Sequence, residues 1–284
     1  MIAVLGGLGA AFAWATTTIC AARATRVIGG PSVLAWVMLT GLVVTLPWAA
    51  LQGRPDVDRT AAGWLLIGGV GNCAGLLLVY AGLRAGKVGV VAPITSTEGA
   101  IAAVIAVVAG EQLAPGMGVA LAVIATGTAL AGITRESSGS ASNAGPNDRV
   151  AALFAGAAAL SFGASLYATG QVGTELPVSW AILPPRVVGV LVIALPLAAM
   201  GRLQLTRQVA PFVVAAGLAE VVGFASFAIG ARHGIAISAV LASQFGAVAA
   251  LAAYVVFRER LTRVQVAGVV TIAAGVATLA ALQA

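Results

Sequence analysis

Ten apolar stretches of about 18 to 23 residues fill almost the whole chain, at 2–21, 32–51, 61–82, 88–109, 116–133, 150–170, 178–200, 208–230, 235–257 and 264–282. A stretch of that length, wound as a helix rising about 1.5 Å per residue, crosses a hydrocarbon core of about 30 Å. Barrel strands would be only about 10 residues long and alternate with period two, which these stretches do not. The pattern predicts an all-α membrane protein of ten transmembrane helices.

Composition names the same solvent. With 60% hydrophobic and 8% charged residues and a mean hydropathy of +1.04, the chain cannot cover itself with a water-facing surface. The net charge of +6 and pI near 10.4 come from Lys and Arg scattered through short loops, with no basic stripe of the kind that binds nucleic acid. Cys20 and Cys73 fall inside spans and make no disulfide framework. The first span has no basic n-region and is read as a retained helix. Only 134–149, TRESSGSASNAGPNDR, looks soluble, and it is read as a linker between a unit at 1–133 and a unit at 150–284.

The two units echo each other. Arg84 and Arg232, Gly86 and Gly234, Glu111 and Glu259, Leu113 and Leu261, and Gly75 and Gly223 are all 148 positions apart. Rare residues in one register point to duplication. A unit of five spans is odd, so the second copy enters the bilayer in the opposite direction and the fold becomes two inverted five-helix repeats. Loops after the odd-numbered spans hold Arg23, Arg26, Arg84, Lys87, Arg135, Arg149, Arg202, Arg207, Arg258, Arg260 and Arg263, against Arg54, Arg59 and Arg232 on the other side. By the positive-inside rule the crowded side is cytoplasmic and both termini lie outside.

Gly110-Glu111-Gln112-Leu113 after the fourth span, and Arg258-Glu259-Arg260-Leu261-Thr262 with Gln265 and Gly268 after the ninth, resemble the EamA-type branch of the drug/metabolite transporter superfamily. Trp14 fits the Trp usual in the first span, with Phe162-Gly163 as its counterpart, and Arg186 fits an Arg common early in a unit's second span. The resemblance covers both units and implies transport of a small organic solute, without naming it. In two respects the chain departs from the pattern: Met38 stands where many relatives have an Arg, and relatives are commonly drawn with both termini cytoplasmic.

Chemistry should sit at mid-bilayer, where inverted-repeat transporters bind substrate. Glu98 and Glu220 lie near the centres of the fourth and eighth spans, and a carboxylate in hydrocarbon normally faces a cavity or a partner. Each is a candidate proton carrier; the rival reading is a protonated carboxyl bonded inside the bundle. Asn72 is the repeat counterpart of Glu220, and Thr95 and Ser96 correspond to Ser243 and Gln244 at the same offset. These polar groups either line a shared, wettable chamber or serve as interhelical glue. Pro93 is expected to kink its helix and free carbonyls. Trp14 either shapes the pocket or packs.

Arg186 follows Pro184-Pro185, so a helix beginning there would leave the guanidinium as a snorkelling anchor. The other reading is a counter-charge for an anionic substrate group or for Glu98. Glu111 and Glu259 are expected to cap or to form loop salt bridges. Trp36, Trp48, Trp64 and Trp180 read as an interfacial belt.

No Gly-x-Ser-x-Gly, His-Glu-x-x-His or Walker loop occurs, and His233 with two separated cysteines makes no metal site. Neither enzyme activity nor a metal or cofactor is expected. The leading expectation is a secondary exporter working by alternating access in a bacterial inner membrane, with lipid, a small solute and protons as its partners. A proton-independent facilitator or exchanger, and an intramembrane lipid-handling enzyme or scaffold, are the alternatives.

Overall fold

The computed structural model describes residues 1–86, 88–131, 146–257 and 263–282, and among them there is no strand. Lys87, Arg135, Arg258, Glu259, Arg260, Leu261 and most of the expected linker lie outside the described residues. The helices are α1 (Ile2–Ile28), α2 (Gly30–Leu51), α3 (Arg59–Ala85), α4 (Val88–Thr95), α5 (Glu98–Val108), α6 (Met117–Ala131), α7 (Pro146–Glu175), α8 (Val178–Gly189), α9 (Leu195–Ala199), α10 (Ala210–Ala231), α11 (Ile235–Ala242), α12 (Phe245–Phe257) and α13 (Arg263–Leu282). Among the described residues eight segments are long and apolar enough to cross a membrane, and Met117–Ala131 and Ile235–Ala249 are shorter apolar helices. The chain is a multi-pass integral membrane protein.

Local sequence explains the ends. Asp58 caps α3 by accepting from the Ala61 N–H at 2.7 Å. Pro31 and Pro211 occupy first-turn positions of α2 and α10, where the missing N–H costs nothing. Gly29, at φ 78°, makes the one-residue turn between α1 and α2, a conformation that disfavours any side chain. A π-helical turn over Val190–Ala194 joins α8 to α9.

Packing pairs the early helices with the late ones: α1 lies on α10, α3 on α7, and α6 on α13. Small residues let backbones meet, as in membrane bundles generally. Gly75 on α3 accepts the ring of Phe162 from α7, and Gly223 on α10 accepts the indole of Trp14 from α1. Both pairs recur at the 148-residue offset. So does a hydrogen-bonded pair: Thr17 donates to the Ala216 carbonyl at 3.1 Å, and Ser165 donates to the Gly68 carbonyl at 2.7 Å.

Candidate functional site: a polar cluster where two broken helices cross

Two apolar segments are interrupted in their middles, between α4 and α5 and between α11 and α12. At the first interruption the Ser96 N–H still bonds the Ala92 carbonyl four residues back, while the Thr97 N–H bonds Ile94 three back. The second repeats this with Ser243 to Ala239 and Gln244 to Leu241. Tightening of that kind frees carbonyls, and side chains take them up. Ser96 donates to the Pro93 carbonyl at 2.9 Å, Thr97 to Ile94 at 2.7 Å, and Ser243 to Val240 at 2.9 Å. Gln244 Nε2 also donates to Val240, at 2.7 Å.

The breaks meet. Gly99, next to Glu98, lies so close to the Ala239 carbonyl and the Ser243 side chain that α5 and α11 cross there backbone to backbone. Glu98 is 7% exposed. Glu220, on α10, is partly exposed and close enough to Glu98 for the two charges to interact. Its carboxyl is within hydrogen-bonding reach of Thr17, and its main-chain carbonyl accepts from Arg186 Nη2 at 3.2 Å. Arg186 is fully buried, its guanidinium carbon 4.6 Å from the centroid of the Phe224 ring and its charge acting on Glu220. Among the described residues its Nε and Nη1 have no hydrogen-bond partner, and neither have Trp14 Nε1 or Asn72 Oδ1. Trp14 stacks edge-on to Phe224 at 5.0 Å and to Phe245 at 6.3 Å. An arginine, two carboxyl groups and an aromatic wall thus converge from α1, α5, α8 and α10.

Buried charge without full hydrogen bonding is expensive in any protein interior and more so within a bilayer. Unpartnered donors and acceptors in such a cluster have bonding capacity left for a solute, a proton or water. Among the described residues no group of three or more His, Cys, Asp and Glu could hold a metal.

Residues 1–133 match the model of the EamA-like transporter family. The EamA-like family is one of membrane transporters, and its members move small molecules across lipid. The whole chain is also similar to a solved crystal structure titled only as that of a protein, at TM-score 0.80 and 17% identity, over 99% of this chain and 97% of that one. At that identity the likeness concerns the fold alone. No curated protein matches the sequence.

The sequence-derived candidates divide into two groups. Trp14, Glu98, Arg186 and Glu220 come together, and Asn72, on α3, is buried. Thr95 and Ser96 are partly exposed at the first break, with Thr95 bonding its own Val91 carbonyl at 2.9 Å. Ser243 and Gln244 are sealed in the second break, and the Gln244 amide is engaged at both ends because Thr128 donates to its Oε1 at 2.8 Å. They act as glue.

One expectation needs correction. The α8 helix begins at Val178, not at Pro184, and both prolines lie inside it. Arg186 is therefore carried into the core and is no interfacial anchor. Around the cluster the packing is uneven. Clefts of about 580 Å³ around Arg54, Asp56 and Trp180 and of about 160 Å³ around Pro31, Tyr80 and Arg84 do not include it. Close crossing at Gly99 and complete burial of α11 close one side, while Glu220, Thr95, Ser96 and Thr97 keep partial exposure. The interruption expected at Pro93 is present, and its proline-free twin shows that side-chain hydroxyls and an amide also suffice to interrupt a helix here.

Sequence reasoning missed Thr17 and Thr128. Threonines in apolar helices usually bond their own preceding carbonyls, which both also do. The signal for Thr17 was its counterpart Ser165, another hydroxyl at the repeat offset.

Proposed function

We propose that this chain is a secondary transporter that exports a small organic solute by alternating access, with Glu98 and Glu220 exchanging a proton for it. The observation that carries this reading is the convergence of Glu98, Glu220 and Arg186 where the broken helices cross. In this reading units 1–133 and 150–284, joined by 134–149, are inverted copies that rock about the crossing. Support comes from reciprocal packing of α1 on α10 and α3 on α7, from the Trp14–Gly223 and Phe162–Gly75 pairs, and from the twin breaks. Discontinuous helices at mid-membrane are a recurring way to build such a site.

The roles follow from chemistry. Two neighbouring carboxyl groups cannot both ionise cheaply in a dry site, so a cationic group on the solute and a proton compete for the same negative charge. Arg186, with two nitrogens unpartnered, balances the charge that remains. Trp14 and Phe224 offer a wall for the apolar part of the solute. The cytoplasmic side is the one rich in arginine, in a bacterial inner membrane.

The test is flux in liposomes driven by an imposed pH gradient, with Glu98→Gln, Glu220→Gln and the double variant. Either single substitution is expected to remove the response to the gradient while leaving exchange of solute for solute. Gradient-driven flux undiminished in all three variants would take the carboxyl groups out of the mechanism.

A further inference from the structure

The two ends of the molecule are not in the same condition. At one end Arg232, just after α10, donates through Nε to the Gly173 carbonyl and through Nη2, at 3.0 Å, to the Leu176 carbonyl, so it binds the last turn of α7. There α7 and α10 pack together. The same end carries Glu111, from the loop after α5, whose carboxylate accepts from the Ile235 and Ala236 N–H groups at 3.1 Å each and so holds the start of α11. All eight residues of α11 are buried. This end is shut.

At the other end the corresponding residues are present but apart. Arg84 is the repeat counterpart of Arg232, and Thr25 and Ile28 are the counterparts of Gly173 and Leu176 at the same offset of 148. Thr25 and Ile28 lie in the last turn of α1, just as Gly173 and Leu176 lie at the end of α7. Yet Arg84 is exposed, makes no hydrogen bond among the described residues and lines the smaller cleft with Tyr80 and Pro31. The helices α1 and α3 show no packing comparable to that of α7 and α10. Of the α4 side chains described, only Val91 is buried, in contrast to α11.

We infer that Arg84 and Arg232 are alternating clasps: Arg232 holds α10 to the last-turn carbonyls of α7 in this conformation, and Arg84 holds α3 to the Thr25 and Ile28 carbonyls of α1 in the opposite one. A cation at a helix C-terminus satisfies orphan carbonyls and opposes the negative end of the dipole, so each clasp stabilises a closed mouth. Two clasps of similar strength leave the conformations close in free energy, as cycling requires. The inference rests on the alternating-access reading above.

Spin-label distances in lipid nanodiscs test it without measuring transport. With Cys20 and Cys73 replaced by alanine, one label pair at Val27 and Leu83 reports the α1–α3 mouth and another at Glu175 and His233 reports the α7–α10 mouth. Arg84→Ala is expected to deplete the short Val27–Leu83 population by about tenfold, the order expected for losing charged hydrogen bonds. Arg232→Ala is expected to enrich that population by a similar factor while lengthening Glu175–His233. Arg84→Lys and Arg232→Lys, which retain a charged donor, should keep most of the wild-type ratio and cover the case of an alanine variant that does not fold. Two populations whose ratio ignores both arginines, or shifts the same way in both variants, would overturn the clasps while leaving alternating access standing. A single fixed distance at each mouth in every protein would overturn alternating access and the clasps with it.

Discussion

The α4–α5 and α11–α12 breaks share one hydrogen-bond design and differ in how they are embedded. Ser96 and Ser243 each bond a carbonyl three residues back, and Thr97 and Gln244 each close a tightened turn. Around the second break the neighbours are tight: Ser243 and Gln244 are 2% and 1% exposed, and Gln244 is tied to Thr128 on α6. Around the first, Thr95, Ser96 and Thr97 are partly exposed and bond only their own helix. Equal local chemistry therefore does not impose equal packing. One break is packed tightly among its neighbours, and the other is packed loosely.

The strongest challenge to that contrast is a methyl group added to each break. Gly99 and Gly246 both sit one residue past the start of the helix that follows, yet Gly99 abuts the Ala239 carbonyl and the Ser243 side chain while nothing lies within 4 Å of a Cβ at Gly246. Gly99→Ala should destabilise the protein by about 1–3 kcal/mol through overpacking, seen as a lower Tm by tryptophan fluorescence in detergent. Gly246→Ala should stay within about 0.5 kcal/mol of wild type. Equal losses would mean that the two breaks are equally confined. A smaller effect is expected of the polar side chains. Gln244→Ala leaves a buried turn short of its amide and removes the acceptor of Thr128, a loss of about 1–2 kcal/mol, whereas Thr97→Ala removes only a bond within its own turn and should cost less than about 0.5 kcal/mol.

How far all this was readable from the chain depends on what each feature needs. Helical spans and membrane residence follow from long apolar runs, and the reciprocal packing was foreshadowed by rare residues at a fixed offset. Register inside the breaks was not. The 148-residue offset pairs Thr95 with Ser243, but the hydrogen bonds pair Ser96 with Ser243, because the second copy has one residue fewer between Arg232 and Ser243 than the first has between Arg84 and Ser96. Arg186 was misplaced for a related reason. Two prolines read locally as a helix start, whereas α8 carries them within a helix that relaxes into a π turn four residues after the arginine. Glu98 and Glu220 were legible as deep acids, but that one is buried and the other partly exposed follows from the packing around each, which the apolar pattern does not encode.

The smallest of these effects concerns the carboxylate that holds the tight side in place. Glu111 is half-buried outside the spans, where burial pushes its pKa above the ordinary value of 4.5 and the Ala236 and Ile235 N–H groups pull it back without cancelling the rise. A carboxyl group whose pKa is higher in the folded state than in the unfolded one contributes stability in acid, and that contribution is lost as pH climbs from the unfolded value through the folded one. The Tm of the wild type relative to Glu111→Gln should therefore fall slightly between about pH 4 and neutrality. A difference that grows with pH instead would show that the ionised form is the one α11 prefers, so that the two N–H groups at its start outweigh the loss of water around Glu111.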